Sequence, residues 1–381
     1  MHVAQISFYV DPERREPERL LAEWHALTDI AAAVTHAGER VTVIQASAVE
    51  GRIERDGVVF HFMAPRDGMV ARSPAFVALL ENLEADAFHV HGLGFGREVR
   101  TLRERAPRTP ILLQDHADRV PRWWRRGAFR AGIAAADGIA FCSREQAEPF
   151  ARAGLLAPHT RIVEVPESSS GFSPGARDAA RAATGLSGDP AVLWVGHLDS
   201  NKDPLTVLEG VARVARDMPG IRLWCCYGTA PLAERIEAAI QAQPILRERV
   251  KLLGRVPHER VQALMRAADL FVLGSHREGC NFSVIEALAT GLTPVVTDIP
   301  SMRALTNDGA IGASWKTGDP DACADALRRC AAVPDAERRK SARAHFDAHL
   351  SHAAIGRRFV AAYTQLAAPR GVAELRPEVV S

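Results

Sequence analysis

The sequence has few cysteines and few aromatic residues. Its 381 residues include six cysteines and three tyrosines, and aromatic residues make up 6% of the chain. No two cysteines form a Cys-x-x-Cys pair, and no Cys/His spacing is that of a structural zinc site. We therefore expect reduced, mostly buried thiols, as in a cytosolic protein.

Long apolar segments are also missing. No apolar run approaches the roughly 20 residues that a membrane-spanning helix needs. The first ten residues are followed at once by charged side chains, starting at Asp11, and lack the order of basic start, apolar stretch and cleavage site of a signal peptide. We expect a first strand there, and a chain that is cytoplasmic or at most peripheral on the inner membrane face.

An excess of charge of either sign is missing as well. There are 47 Lys and Arg against 46 Asp and Glu, so the formal net charge is +1. Such a chain has no global field that attracts nucleic acid, and we expect no nucleic-acid partner. With 47% hydrophobic residues the chain has enough apolar surface for real cores. Its length indicates two to three domains, or one large barrel.

Short apolar runs alternate with segments of helical period, as is typical of βαβ units on parallel sheets. One predicted helix covers residues 20–36 and ends at Gly38, another covers 75–83, and residues 321–366 are helical. The predicted strands are residues 1–10, 41–44, 58–62, 88–91, 111–114, 139–142, 162–165, 191–195, 221–226, 250–253, 270–273 and 293–297.

Turn-forming residues are most concentrated between residues 166 and 190. The sequence therefore predicts an α/β protein with two doubly wound, Rossmann-like domains, at residues 1–175 and 186–350. Residues 351–381 are predicted to be a helix that returns to the first domain, followed by a loosely held tail.

Polar or glycine-containing turns follow three strands of the second half. Gly196, His197 and Lys202 come after the strand at 191–195, and Arg255 and Val256 follow the strand at 250–253. Ligands of open parallel sheets bind beyond the carboxyl ends of the strands, so these turns are candidate binding residues.

The third turn opens a helix between Glu278 and Glu286. Successive backbone N–H groups at a helix start favour an anion such as a diphosphate, which Lys202 can neutralise. The residues that supply these groups are Gly279, Cys280, Asn281, Phe282 and Ser283.

Each of these residues also has a purely structural interpretation. Ser283 and Glu286 fit a capping box, in which the glutamate accepts from the serine N–H. Lys202 alone is typical of a solvated surface lysine, and Glu278 ahead of a helix favours the helix dipole.

Taken together, the three turns resemble the retaining glycosyltransferases of family 4, which have the GT-B fold of two Rossmann-like domains facing across a cleft. The most specific element is Glu278, seven residues, then Glu286 followed by Ala-Leu-Ala-Thr-Gly-Leu-Thr-Pro-Val-Val-Thr-Asp298. The resemblance implies transfer of a sugar, expected to be a hexose, from a UDP-sugar or GDP-sugar with retention. It implies no metal and no further cofactor; the acceptor and the oligomeric state are not indicated.

The resemblance also implies roles for individual residues. Glu286 would hold the ribose, Glu278 would approach the donor sugar, and the amides from Gly279 to Ser283 would bind the phosphates with Lys202. The base would lie against Arg255 and Val256. In the first domain, on the acceptor side, His116 would face the donor sugar.

This chain departs from the family pattern at three places. His197 replaces an arginine, and a histidine cannot make a two-pronged phosphate contact, so weaker or more pH-dependent donor binding is predicted. Residues 9–15 lack the usual glycine-rich loop, and Glu167-Ser168-Ser169 replaces the usual Asn-Gly. Alternatives therefore remain: a sugar-nucleotide hydrolase or epimerase, or a catalytically silent sugar-nucleotide-binding protein.

Two patterns in the first half suggest other functions. His89, His91 and His116 fit the zinc site of a metal hydrolase. Gly92-Leu-Gly-Phe-Gly96 is a weak dinucleotide-binding pattern, because an arginine follows where the third glycine belongs.

A basic stripe is predicted on one helix face by Arg119, Arg122, Arg126 and Arg130, with Trp123 and Trp124 between them. Such a stripe fits peripheral contact with an anionic membrane or an anionic acceptor in the cleft. The alternative is a surface helix whose tryptophans pack inward.

Overall fold

The computed structural model of the chain describes residues 1–65 and 69–368. Its strands are β1 (His2–Ser7), β2 (Arg40–Ala46), β3 (Gly51–Arg55), β4 (Val58–Met63), β5 (Ala87–His91), β6 (Ile111–Gln114), β7 (Gly138–Phe141), β8 (Arg161–Glu164), β9 (Ala191–Val195), β10 (Arg222–Cys226), β11 (Val250–Gly254), β12 (Leu270–Leu273), β13 (Thr293–Thr297) and β14 (Ala313–Trp315).

Helices connect nearly all of these strands. They are α1 (Pro17–Glu23), α2 (His25–His36), α3 (Pro74–Leu83), α4 (Gly96–Arg105), α5 (Arg126–Ile133), α6 (Glu148–Arg152), α7 (Arg177–Thr184), α8 (Pro204–Val214), α9 (Ala233–Ala242), α10 (Pro244–Arg249), α11 (His258–Ala267), α12 (Phe282–Thr290), α13 (Pro300–Thr306), α14 (Pro320–Ala332), α15 (Asp335–His345) and α16 (His352–Ala367).

The strands form two sheets, one for each half of the chain. The first has the order β3-β4-β2-β1-β5-β6-β7-β8 and the second β11-β10-β9-β12-β13-β14. All pairs are parallel except β3 with β4. In the second sheet the strand order reverses between β9 and β12, which is where a doubly wound sheet opens a crevice for a ligand. The predicted fold class is confirmed.

The last described helix packs on the first sheet rather than the second. The hydroxyl of Tyr363 in α16 lies 2.8 Å from Nδ1 of His89 on β5. Gly356 allows α16 to touch α2, because a Cβ there would stand 1.9 Å from the carbonyl oxygen of Ala33. The chain therefore crosses back to its first half. The limits 1–175, 186–350 and 351–381 stay predictions, and residues 369–381 of the tail lie outside the described residues.

Local structure differs from the sequence-based expectation at several places; β1, for example, ends at Ser7 and not at residue 10. The helix predicted at 20–36 is two helices, because the backbone of Trp24 leaves the helical region (φ −105°, ψ 75°). Strand β3 was not predicted; it is a largely exposed edge strand that returns to β4 through Asp56-Gly57, both at positive φ, and this dipeptide is a hairpin signal. Strand β14 has three residues, too few for a visible pattern.

The predicted basic stripe is not one helix face. Helix α5 begins only at Arg126, and a 3-10 turn covers Trp123–Arg125. Trp123 is 76% exposed and Trp124 56% exposed, so the interpretation that both tryptophans pack inward is wrong. The guanidinium of Arg122 lies 5.3 Å from the Trp124 ring.

Candidate functional site

A cavity of about 360 Å³ opens at the carboxyl ends of the second sheet. The loops after β9, β11 and β12 meet there because their strands run parallel in one sheet. Of the predicted residues, the walls contain Gly196, His197, Lys202, Arg255, Val256, Glu278, Cys280, Asn281, Phe282, Ser283 and Glu286. Gly279 lies in the same loop but not on the wall, and His116 lines a neighbouring cavity.

Helix α12 presents its N-terminus to this cavity. Its N-cap is Asn281, whose side-chain oxygen accepts from the N–H of Val284 at 3.1 Å. The Ser283 hydroxyl donates to the carbonyl of Val195 at 3.0 Å, so the capping-box interpretation is wrong. The first N–H groups of a helix have no partner within the helix, and the dipole adds partial positive charge. This end of α12 therefore suits an anion.

Lys202 and Glu278 form an ion pair across the cavity wall. Nζ of Lys202 lies 2.5 Å from Oε1 of Glu278, and the two side chains are only 15% and 11% exposed. The loop that carries Lys202 is held by Asp199, which accepts its backbone N–H at 2.9 Å. A buried pair of this kind retains much of its attraction because water screens it poorly. The ammonium is thus positioned beside the start of α12.

Glu286 contacts a histidine that sequence analysis did not identify. Oε1 of Glu286 lies 2.6 Å from Nε2 of His258 in the first turn of α11. This hydrogen bond raises the pKa of His258, and the His258 ring packs 4.7 Å from Phe172. The carboxylate of Glu286 is therefore oriented on the cavity wall rather than used as a helix cap.

The imidazole of His197 is held in one orientation. Nδ1 accepts the backbone N–H of Thr229 at 3.2 Å and lies 2.9 Å from its hydroxyl. Since Nδ1 accepts, the ring proton is on Nε2, which leaves one donor where an arginine has several. Tyr227 and Gly228, on the loop after β10, also line the cavity. Because this loop also follows the carboxyl end of a parallel strand, it could have been predicted from the sequence in the same way.

The histidines of the first half form a hydrogen-bonded row. Nδ1 of His91 lies 3.0 Å from Nε2 of His116, which pairs through its other nitrogen with Glu167. Burial alone would lower the pKa of His116, but the charge and hydrogen bond of Glu167 raise it overall. Burial lowers the pKa of His91 well below its usual value and that of His89 to about 3. His116 therefore lies between the Glu167 carboxylate, which favours its charged form, and the His91 imidazole.

These histidines were also candidates for zinc. Across residues 1–65 and 69–368 no three or more His, Cys, Asp or Glu side chains are grouped as a metal site. His89 instead bonds Tyr363, and the His89 and His91 rings stack 4.9 Å apart. The last glycine of the weak dinucleotide pattern, Gly96, has a packing role. It approaches Gly132 so closely that a Cβ on Gly132 would lie 2.3 Å from the Cα of Gly96.

The two halves touch at the loop that precedes α12. Arg277 donates to the carbonyls of Ala117 at 2.5 Å and of Asp118 at 2.9 Å. Nε2 of Gln146 donates to the carbonyls of Glu278 at 3.0 Å and of Gly279 at 2.8 Å. None of these long-range contacts was visible in the sequence. They fix the first half against the loop that also carries Glu278.

Asp29 of α2, which is bonded by Ser168, should limit stability at neutral pH. Burial raises its pKa from 3.8 to about 6, although the Ser168 hydroxyl donates to its Oδ2 at 2.6 Å. The folded state therefore holds the proton more tightly, and its stability falls as pH rises from about 4 to 6. We expect Asp29→Asn to raise the free energy of unfolding by about 1 to 3 kcal/mol at pH 7.5 and by little at pH 4.

Urea unfolding at the two pH values measures this difference. Asp178→Asn is the matched control, because that carboxylate is 96% exposed. An equal effect of Asp29→Asn at both pH values would contradict the assignment.

Comparison with known proteins gives a family match in the second half of the chain. Residues 189–332 match the family described as glycosyl transferases group 1. D-inositol 3-phosphate glycosyltransferase of Nocardia farcinica is 32% identical over 220 residues, which are 56% of this chain and 49% of that protein. GDP-mannose:cellobiosyl-diphosphopolyprenol alpha-mannosyltransferase of Xanthomonas campestris is 25% identical over 264 residues, 66% of each chain. The chain thus spans about half of the first relative and two thirds of the second.

Solved structures match over almost the whole chain. Sucrose-phosphate synthase from Thermosynechococcus elongatus aligns with a TM-score of 0.68 at 21% identity, over 96% of this chain and 98% of the other. Anabaena Alr3699/HepE, solved in complex with UDP, aligns with a TM-score of 0.67 at 17% identity, over 96% and 100%. The resemblance inferred from the sequence is confirmed: residues 189–332 match the family of glycosyl transferases group 1, and the chain has the GT-B fold.

Proposed function

We propose that this protein is a glycosyltransferase that moves a sugar from a nucleoside-diphosphate sugar to an acceptor hydroxyl, with retention and without a metal. The observation that carries the proposal is the meeting of the α12 N-terminus with the buried ammonium of Lys202 in one cavity. Both groups favour a diphosphate. The family match and the named transferase relatives support the same activity.

The cavity walls suggest how the donor lies. Glu286, oriented by His258, would accept from the ribose hydroxyls, and the base would lie against Arg255 and Val256. The phosphates would contact the start of α12 and Lys202. His197 adds a single Nε2–H donor, so it would hold a phosphate less firmly than an arginine.

Catalysis would consist of stabilising the leaving group and positioning the sugar. The anomeric carbon–oxygen bond breaks and its electron pair goes to the departing diphosphate. The acceptor oxygen forms the new bond, and its proton passes to the departing phosphate. Glu278 lines the donor cavity and His116 the neighbouring cavity, so we expect the sugar to lie between them.

Binding of the donor can be tested without knowing the acceptor. We expect calorimetry to detect UDP or GDP, bare or sugar-linked, and incubation with the matching nucleotide sugar and a chelator to give slow hydrolysis. Isomerisation of the sugar would favour the epimerase alternative, and binding without turnover would favour the silent protein. If uridine, guanosine and adenosine diphosphates all fail to bind the folded protein, the proposal is wrong.

We also propose peripheral membrane contact through an Arg–Trp patch (Arg119, Arg122, Trp123, Trp124, Arg126 and Arg130). None of the helices in the described part of the chain has the length and apolar composition to cross a bilayer. Exposed tryptophans beside arginines are instead suited to the interface of an anionic membrane.

Sedimentation with phosphatidylglycerol vesicles tests this contact. We expect the double variant Trp123→Ser/Trp124→Ser to bind at least about tenfold more weakly, since each ring loses apolar burial. Val333→Ser, an exposed apolar residue in the second half, should bind as the parent does. Unchanged binding of the double variant would exclude the patch.

A further inference from the structure

A second cavity, of about 680 Å³, adjoins the proposed donor site and shares Phe282 with it. It opens at the carboxyl ends of the first sheet, beneath the junction of α1 and α2. Phe282, at the start of α12, lines both cavities, and His116 lies on the wall of this one. A molecule bound here would therefore reach the end of the donor that carries the sugar.

The upper wall of this cavity is aromatic. The rings of Tyr9 and Trp24 lie 5.5 Å apart with a 40° tilt, and Phe95 and Phe282 complete the wall. Tyr9 is 49% exposed and Phe282 38% exposed, so these rings have free faces. Apolar walls of this kind bind flat rings and leave orientation to a few polar groups.

The floor supplies an unpartnered acceptor. Ser7 on the central strand β1 lies in register with Gln45 on β2 and with His91 on β5. Both hydrogens of the fully buried Gln45 amide are used, at 2.6 Å to the carbonyl of Tyr9 and 2.7 Å to that of Ala46. These two carbonyls fix the amide orientation, so Oε1 is an acceptor, and it has no partner among the described residues.

The floor also supplies an unpartnered imidazole nitrogen. Nδ1 of His91 lies 3.0 Å from Nε2 of His116, so one of these two rings donates to the other. Nε2 of His91 is buried and has no partner within the described chain. A hydroxyl group can both donate and accept, so it can meet Oε1 of Gln45 and Nε2 of His91 together.

The charge of the cavity disfavours an anionic ligand. Glu23 and Asp118 lie on its wall, and none of the described residues that line it is Lys or Arg. The nearby Arg15 is engaged by Asp11 at 3.1 Å, Glu13 at 3.2 Å and Glu23 at 2.8 Å. His116 is paired with Glu167. A phosphate here would meet carboxylates and no available cation.

We propose that this cavity binds the acceptor, and that the acceptor is a neutral saccharide: an uncharged, polyhydroxylated ring stacked on Trp24 with a hydroxyl between Gln45 and His91. This inference rests on the proposed function and names its acceptor class. The acceptor oxygen bonds to the anomeric carbon while the diphosphate leaves with the electron pair and receives the acceptor proton.

The first experiment measures donor consumption with pairs of acceptors that differ in a phosphate. The probes are methyl glucoside, methyl mannoside, cellobiose and myo-inositol, against glucose 6-phosphate, mannose 6-phosphate and inositol 3-phosphate. We expect a neutral acceptor to raise the rate of donor consumption at least about tenfold over the rate of hydrolysis without acceptor. The phosphorylated form of the same acceptor should raise it less. Stronger stimulation by the phosphates, or none by any neutral member, overturns the proposal.

Variants separate this cavity from the donor site. Trp24→Ala should raise the acceptor KM about tenfold or more and Trp24→Phe only slightly, while donor hydrolysis without acceptor stays unchanged in both. Glu23→Gln should improve use of the phosphorylated probes, and Glu18→Gln, exposed on the same helix, should not. An acceptor KM that Trp24→Ala leaves unchanged refutes this site. Absence of nucleotide binding by the parent protein refutes instead the proposed function.

Discussion

Lys202→Ala is expected to lower donor turnover by about 10²- to 10³-fold, equivalent to about 3 to 4 kcal/mol of lost transition-state stabilisation. The ammonium lies beside the α12 N-terminus, where negative charge grows on the leaving diphosphate. Its loss also leaves Glu278 without the partner now at 2.5 Å. Single-turnover hydrolysis of the nucleotide sugar, with calorimetry for ground-state binding, separates the two effects.

The role of Lys202 can be distinguished from mere support of Glu278 by a double variant. If the lysine acts on the phosphates, Lys202→Ala/Glu278→Gln stays as slow as Lys202→Ala. If it only supports Glu278, the double variant turns over as fast as Glu278→Gln alone, and our assignment fails. Lys340→Ala is the control, because this lysine is exposed on α15, away from the cavity.

Gly279→Ala is expected to lower turnover by about 10²-fold with little loss of donor affinity. A Cβ at this position would stand 2.7 Å from the backbone nitrogen of Ala117 and 2.8 Å from its Cβ. The loop and Ala117 must then move apart, which displaces Glu278 from the first half. The donor contacts belong to the second half, so nucleotide binding survives.

Measuring the turnover number and the dissociation constant of the nucleotide on one preparation tests this separation. Gly127→Ala is a suitable control, because a Cβ there has open space. A loss of nucleotide binding equal to the loss of turnover would show that Gly279 acts on the donor pocket itself and not on the contact between the halves.

Most strands and the loops of the donor cavity could be predicted from the sequence. The strands at 111–114, 191–195, 270–273 and 293–297 were predicted with the bounds that the structure has. Those at 191–195 and 270–273 read as unbroken apolar runs, as is typical of strands covered on both faces. The edge strand β3 and the break at Trp24 were missed, because polar edge strands and helix breaks leave weaker patterns.

The donor cavity was largely predictable because its residues follow strand ends within short segments. The partners of those residues were not. His258 bonds Glu286, and Gln146 donates to the carbonyl of Glu278. Both partners come from distant segments, which no local sequence pattern connects to the site. The hydrogen bond from the N–H of Thr229 to His197 could not be predicted either.

The sequence by itself determined the α/β class, the order of the strands along the chain and the turns that carry Lys202, Glu278 and Glu286, because periodicity and turn chemistry act over a few residues. Only the tertiary structure decided that Tyr363 of α16 meets His89 on β5, that Gly279 meets Ala117, and that Gln45 and His91 share the floor of a second cavity. These contacts join residues far apart in the chain, and only the packing of complete sheets and helices specifies them.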